Sequence, residues 1–153
     1  MKKIISVIVE NEHGVLARIV NMFAGRGYNI DSLTVAPIPN SEFSRMTIVS
    51  EGDPKIFEQI VKQLHKLIPV YKVIENSDFI EKEMAIVKFS IENHLSDIDA
   101  LAKCYNGSIS NVSEKHVIVS VVDEPKRVDN FLKAIKRFRP IEIVRSGASV
   151  IER

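Results

Sequence analysis

The sequence predicts an α+β protein: two tandem βαββαβ units, each an antiparallel sheet with helices on one face. Three observations predict it. Short β-branched or alternating apolar segments and amphipathic helical stripes follow one another in the order βαββαβ, and that order then repeats. A polar stretch, Glu75-Asn76-Ser77-Asp78, separates the two runs. The 153 residues suit two units of roughly 75 residues, near the lower end of domain size. The first unit is therefore expected over residues 1–76 and the second over 77–153.

In the first unit, Ile4-Ile5-Ser6-Val7-Ile8-Val9 reads as a strand in the sheet centre. Asn11-Glu12-His13-Gly14 interrupts it. Leu16, Ile19, Val20 and Phe23 then give a helix one apolar stripe. Gly25-Arg26-Gly27 ends that helix, with Gly27 suited to a left-handed position. Ile30 to Ala36 reads as the second strand, Pro37 to Ser41 as a turn, and Met46 to Val49 as the third strand. Asp53-Pro54 is a helix start, an acceptor at the cap and then a residue that needs no N–H partner. Phe57, Ile60, Val61, Leu64 and Leu67 form its stripe, and Pro69 ends it before the strand Val70–Ile74.

The second unit repeats the plan. Met84 to Ile91 reads as a strand. Ser96-Asp97-Ile98-Asp99 resembles a capping box that opens a helix carrying Ile98, Leu101, Ala102 and Tyr105. Asn106-Gly107 stops it. Ser108 to Val112 and His116 to Val122 read as strands joined by a tight turn. Asp123 can cap a helix with Val128, Phe131, Leu132 and Ile135 on one face. Ile141 to Val144 is the expected last strand. The bare sheet faces and edge strands need covering, so at least a homodimer is expected.

Composition excludes several functions. Apolar residues make up 45% and charged residues 27%, ordinary values for a globular protein. Twenty-one basic residues against twenty acidic ones leave no global field for nucleic acid or anionic lipid. The single cysteine, Cys104, cannot form an internal disulfide, and no apolar run suits a signal peptide or a membrane span. A cytoplasmic protein that binds neither nucleic acid nor membrane is expected.

No catalytic or metal motif stands out. His13, His65, His94 and His116 lack the spacing of a helical metal site. Cys104 has no evident base partner. Gly25-Arg26-Gly27 closes a helix, which is the wrong dipole end for a phosphate. The central strands carry Val7, Val9, Met46 and Ile48, with no aromatic pair on which bases could stack. Lys126, Arg127, Lys133, Lys136, Arg137 and Arg139 form a basic run that Asp129 offsets only in part. A solvated helix face accounts for it, and a partner-docking surface is the functional alternative.

The best candidate site is the connection Asn11-Glu12-His13-Gly14-Val15-Leu16. A helix N-terminus offers unpaired N–H groups to a carboxylate. Gly14 leaves room for a ligand's polar atoms, and Asn11 can donate or accept. Asn29, beside apolar Ile30, is a second polar group at the other end of the same helix. Together they suit a small zwitterion with an alkyl side chain. Cap and turn chemistry, which is commoner than a ligand site, accounts for Asn11 and Gly14 without a ligand.

These same residues carry a resemblance. Asn11-Glu12-His13-Gly14-Val15-Leu16-Ala17-Arg18, Arg26-Gly27-Tyr28-Asn29-Ile30, Ser32-Leu33-Thr34-Val35-Ala36-Pro37, Ser44-Arg45-Met46-Thr47-Ile48 and Lys62-Gln63-Leu64-His65-Lys66-Leu67 resemble the small regulatory subunits of acetolactate synthase, also called acetohydroxyacid synthase. In the second half, Glu83-Met84-Ala85-Ile86-Val87-Lys88 and Arg145-Ser146-Gly147 also fit, while Cys104-Tyr105-Asn106-Gly107-Ser108 departs from the family pattern. The resemblance implies an ACT domain followed by a second ferredoxin-like domain. It implies a chain with no catalytic residues, metal or cofactor of its own. The partner would be a large catalytic subunit that uses thiamine diphosphate, magnesium and FAD to condense pyruvate with pyruvate or 2-ketobutyrate, an early step of branched-chain amino-acid synthesis. The small subunit would activate it and confer feedback inhibition by valine, with leucine and isoleucine as alternative effectors. The effector would sit between Asn11, His13, Gly14, Val15 and Leu16 of one chain and Asn29 and Ile30 of another. The competing expectation is a stand-alone amino-acid-sensing ACT module controlling transcription or another enzyme. An acylphosphatase-like enzyme is disfavoured, because the first loop lacks a glycine- and arginine-rich phosphate cradle.

Overall fold

The computed structural model describes residues 2–75 and 78–153. It divides into a first unit up to Ile80, which Val150–Arg153 rejoin, and a second unit, Glu81–Ser149. Of the polar stretch read as a boundary, Asn76 and Ser77 lie outside the described residues.

The first unit runs β1 (Lys2–Glu10), α1 (Val15–Ala24), β2 (Asn29–Pro37), β3 (Phe43–Glu51), α2 (Pro54–Lys66) and β4 (Val70–Glu75). Its sheet has the order β2-β3-β1-β4. All three pairings are antiparallel, with Ile5 opposite Ile48 and Val7 opposite Met46. Those four side chains are fully or almost fully buried and share a core with Ile19 and Phe23 of α1 and Phe57, Ile60 and Leu64 of α2. Burial of each such side chain stabilises by about 1.5–3 kcal/mol before entropy is counted. The start of α2 is as expected: the Lys55 N–H donates to Asp53 Oδ1 (2.8 Å), and Pro54 is the first helical residue.

The stripe of α1 differs from the expectation. Val15, Ile19 and Phe23 are buried, whereas Leu16 is 42% exposed and Val20 half-buried. The helix starts directly after Gly14, and spacing back from Ile19 by four residues selects Val15 for the core. Leu16 is left as an apolar side chain facing outward.

The second unit runs β5 (Phe79–Ser90), α3 (Leu95–Cys104), β6 (Gly107–Val112), β7 (His116–Asp123), α4 (Pro125–Ala134), a 3-10 segment (Ile135–Phe138) and β8 (Glu142–Arg145). Its strand order β6-β7-β5-β8 repeats that of the first unit. The fold class is therefore the expected one. A short strand missed in the sequence, β9 (Ser149–Glu152), pairs with β5, so Ile141–Val144 does not hold the last strand. Four residues with one apolar pair give no usable period.

Two caps also differ. His94, not Ser96, precedes α3, and no side chain caps it. Ser90 and Asn93 organise the turn instead, with the Glu92 N–H donating to Ser90 Oγ (3.2 Å) and Asn93 Nδ2 donating to Phe138 O (3.1 Å). Glu124 precedes α4, because Asp123 still belongs to β7. The Asp123 carboxylate, 2% exposed, accepts from the Glu124 N–H (2.8 Å), Arg127 Nε (2.6 Å) and Asn106 Nδ2 (3.2 Å). Burial alone would push that carboxyl up. The Arg127 and Glu124 hydrogen bonds and the Arg127 and Lys82 charges outweigh it and hold the carboxyl below the usual range.

Candidate functional site

The connection between β1 and α1 is tied to the sheet by its backbone. The Glu10 N–H donates to Pro69 O (2.8 Å), the Asn11 N–H to Glu42 O (3.0 Å), and the Glu12 N–H to Glu10 O (2.9 Å). Gly14 then turns the chain into α1 at φ 81° and ψ −8°, a left-handed conformation that glycine adopts without penalty. Its carbonyl accepts the Arg18 N–H (3.1 Å), the first helical bond. No side chain caps this end, so the N–H groups of the first turn keep their hydrogen-bonding capacity and partial positive charge. A Cβ placed on Gly14 would meet nothing within 4 Å. The glycine serves the backbone turn, and the space beside it is open.

Asn11, His13, Gly14 and Leu16 are exposed around this helix end, and Val15 is buried beneath them. The structure thus brings five of the expected site residues together. Asn29 and Ile30 are elsewhere. Lys2 of β1 and Asn29 of β2 both lie opposite Glu51, whereas Glu10 lies opposite Phe43. Asn29 is therefore at the sheet end where β1 begins, and Asn11 follows the end where β1 finishes. The gap along β1, eight residue steps from Lys2 to Glu10 at about 3.3 Å each, is about 26 Å.

Asn29 is exposed, and its Nδ2 donates to Asp31 Oδ1 (3.2 Å). Its position is set by the turn before it. Gly27 takes φ 68°, and buried Tyr28 packs between Phe23 and Phe57. The Tyr28 ring lies where a Cβ on Gly52 would be, 2.6 Å from Cε2, so only glycine fits there. Burial, and the Asp53 charge after it, push the Tyr28 phenol above its ordinary value.

One group near the helix end was not anticipated from the sequence. Glu10 and Glu12 meet Glu42 through the pairing of β1 with β3. The Glu12 side chain, by hydrogen bond and by charge, with burial and Glu42 behind it, raises the Glu10 carboxyl above its usual range. The Phe43 and Tyr71 rings pack at a 37° tilt beside this corner, with centroids 4.9 Å apart. These contacts depend on strand register, which no local pattern reports. Among the described residues, no group of three or more His, Cys, Asp or Glu side chains could hold a metal ion, and no helix is long and apolar enough to cross a membrane.

Comparison with known proteins agrees along the whole chain. A family model described as an AHAS small subunit-like ACT domain matches residues 5–72. A second, described as the small subunit of acetolactate synthase, matches residues 82–153. The acetolactate synthase small subunit of Haemophilus influenzae is 41% identical over 157 aligned positions, which cover 100% of this chain and 96% of the relative. The acetolactate synthase isozyme 3 small subunit of Escherichia coli is 39% identical with the same coverage. The crystal structure of the acetolactate synthase small subunit from Thermotoga maritima superposes with a TM-score of 0.89 at 32% identity, covering 100% of this chain and 98% of that one. The regulatory subunit of aspartate kinase from Thermus thermophilus shares the fold alone, at a TM-score of 0.50 and 16% identity over 90% of this chain and 92% of that one.

Proposed function

We infer what this chain does from the family to which it belongs, that of the acetolactate synthase small subunits: it binds the large catalytic subunit, raises its activity, and makes it sensitive to valine. The partner carries the thiamine diphosphate, magnesium and FAD and forms 2-acetolactate and CO2 from two pyruvates. This chain supplies no reacting group. It acts in the cytoplasm as a homodimer or a larger assembly of that dimer.

The observation that carries the effector reading is the separation of the site residues. Asn11, His13, Gly14, Val15 and Leu16 lie at one end of α1, and Asn29 and Ile30 lie at the other. One chain offers only half of a zwitterion site at each end. Two chains packed side by side, with the α1 end of one against the β2 start of the other, complete it. The valine carboxylate then takes the N–H groups of the first turn of α1. Its ammonium takes the amide oxygen of the partner copy's Asn29, helped by the charge of Glu10, Glu12 and Glu42. Its isopropyl group packs on Leu16 and the partner copy's Ile30. Open space at Gly14 admits the ligand's backbone atoms.

Valine bound there favours one arrangement of the two chains, and the catalytic subunit favours another. The two ligands oppose each other through a coupling of about 1–3 kcal/mol, enough for 5- to 150-fold regulation. The test is catalytic-subunit activity with and without this chain across a valine titration. Activation that valine reverses is the expected result. No change in activity on adding the chain would overturn the subunit reading and favour a stand-alone sensor.

A further inference from the structure

The strand-to-helix connection of the second unit repeats the backbone plan of the first. The Ile91 N–H donates to Lys115 O (2.9 Å) as the Asn11 N–H donates to Glu42 O, and His94 precedes α3 as Gly14 precedes α1. Beside this second connection is a pocket of about 440 Å3 lined by Ser90, Glu92, Asn93, Arg137, Phe138 and Arg139. Asn93 Nδ2 donates to Ser90 O and Phe138 O, which ties the connection to the end of the 3-10 segment. The Arg137 guanidinium lies over the Phe138 ring, 4.6 Å from its centroid. Arg139 is held at φ 52°.

The pocket ends a cationic face. Between Pro125 and Arg139 the chain carries six basic residues and one acidic one, Asp129. Arg127 is engaged by Asp123, and Asp129 by Arg145 Nη1 (2.6 Å). Lys126, Lys133, Lys136, Arg137 and Arg139 are exposed, and none has an ion-pair partner among the described residues. Lys126 and Lys133 stand seven residues apart on the side of α4 opposite Val128 and Phe131, and Lys136 continues the line. Five uncompensated charges of one sign repel each other and attract an acidic surface.

We propose that this face is where the second unit docks an acidic surface of the catalytic subunit, with one partner carboxylate seated in the pocket between Arg137 and Arg139. The proposal rests on the subunit reading above. Guanidinium groups match a carboxylate with paired hydrogen bonds. Glu92 on the same rim opposes a dianion such as phosphate more than a single carboxylate. Nucleic acid is the poorer occupant, because the exposed side of α4 carries no aromatic ring for base stacking and Phe131 is buried.

The test measures association of the full-length chain with its catalytic subunit at low and high salt. Lys133→Glu with Lys136→Glu should weaken association about tenfold at low salt and flatten its salt dependence. Lys62→Glu with Lys66→Glu changes net charge equally on exposed positions of α2 and should cost less than about twofold. Valine binding to the free chain should be equal in all three proteins. Equal losses in the two double variants, or none in the first, would overturn the proposal while leaving the subunit reading intact. The same follows if the first variant keeps its partner but loses affinity for a polyuridine probe. A wild-type chain that fails to bind the catalytic subunit would overturn both.

Discussion

In the first unit the strand-to-helix corner turns on Gly14 at φ 81°, stands beside three glutamates, and leaves a bare helix end. In the second unit the same corner turns on His94 at φ −67°, stands beside Arg137 and Arg139, and also leaves its helix without a side-chain cap, the Asn93 amide bonding Ser90 O and Phe138 O. Strand order and hydrogen bonding are alike in both. The βαββαβ plan places an equivalent corner in each unit, and a few side chains there set its charge. Both helix ends are uncapped, so the glycine turn beside the glutamates is what the proposed zwitterion site draws on. A basic rim with its amide already bonded suits an acidic surface.

The two turning residues, Gly14 and His94, carry the largest expected difference. Gly14→Asp puts a carboxylate where the proposed site would hold the effector's carboxylate, and like-charge contact costs several kcal/mol. Valine affinity by calorimetry should fall roughly a hundredfold, with activation retained. The left-handed backbone adds a stability loss of about 1 kcal/mol, visible as a lower melting temperature. His94→Asp at the matching position should leave valine affinity within about twofold, since no ligand contact is assigned there.

Arg127→Ala tests what holds the second unit's corner. It removes a partner from the buried Asp123 carboxylate and should cost about 1–3 kcal/mol in urea unfolding. Asn29→Ala sharpens the two-chain reading of the first corner. Losing a hydrogen bond to a charged ligand should weaken valine binding about tenfold, and equal affinities would remove Asn29 from the site.

Acid should separate the units next. Asp123 has a carboxyl pKa lowered by folding, so its contribution is present above the unfolded value of about 3.9 and lost as pH falls through the folded value. Hydrogen exchange below about pH 4 should therefore open the second unit around β7 and α4. Glu10 has the opposite sign: its raised carboxyl weakens the fold when charged, and acid relieves the strain among the three glutamates. The smallest effect follows. Glu12→Gln should bring the Glu10 titration back down toward the ordinary range, read by carbon NMR of the carboxyl.

Most of the fold was legible because its signals are local. The stripe Phe57, Ile60, Val61 and Leu64 and the Asp53-Pro54 start both report contacts within a few residues. The errors arose where one residue of phase mattered. Leu16 entered the expected stripe because an apolar residue fits two adjacent helix registers, and only the turn at Gly14 decides between them. Ser96 and Asp123 looked like caps, yet α3 starts after His94 and α4 after Glu124, neither with a side-chain cap, while Asn93 bonds Phe138 O and Asp123 bonds Arg127. The placement of the candidate residues was legible in parts. Asn11 to Leu16 is contiguous, so its helix-end chemistry could be read directly. Glu42 joins Glu10 and Glu12 only through strand register, and the distance between Asn11 and Asn29 only through the direction of β2.

The fit of the Tyr28 ring against Gly52 has a practical use. The chain has no tryptophan and three tyrosines, so its near-ultraviolet signal comes from phenol rings. Tyr28 directly precedes Asn29, is buried, and holds its proton to higher pH than a free phenol. Tyr71 is 71% exposed beside the acidic corner, and Tyr105 lies under Arg127 in the second unit. Each region proposed to bind or dock therefore has a native optical label nearby. A tyrosine difference spectrum on adding valine or the catalytic subunit, repeated with Tyr71→Phe and Tyr105→Phe, would locate the responding region without a foreign dye.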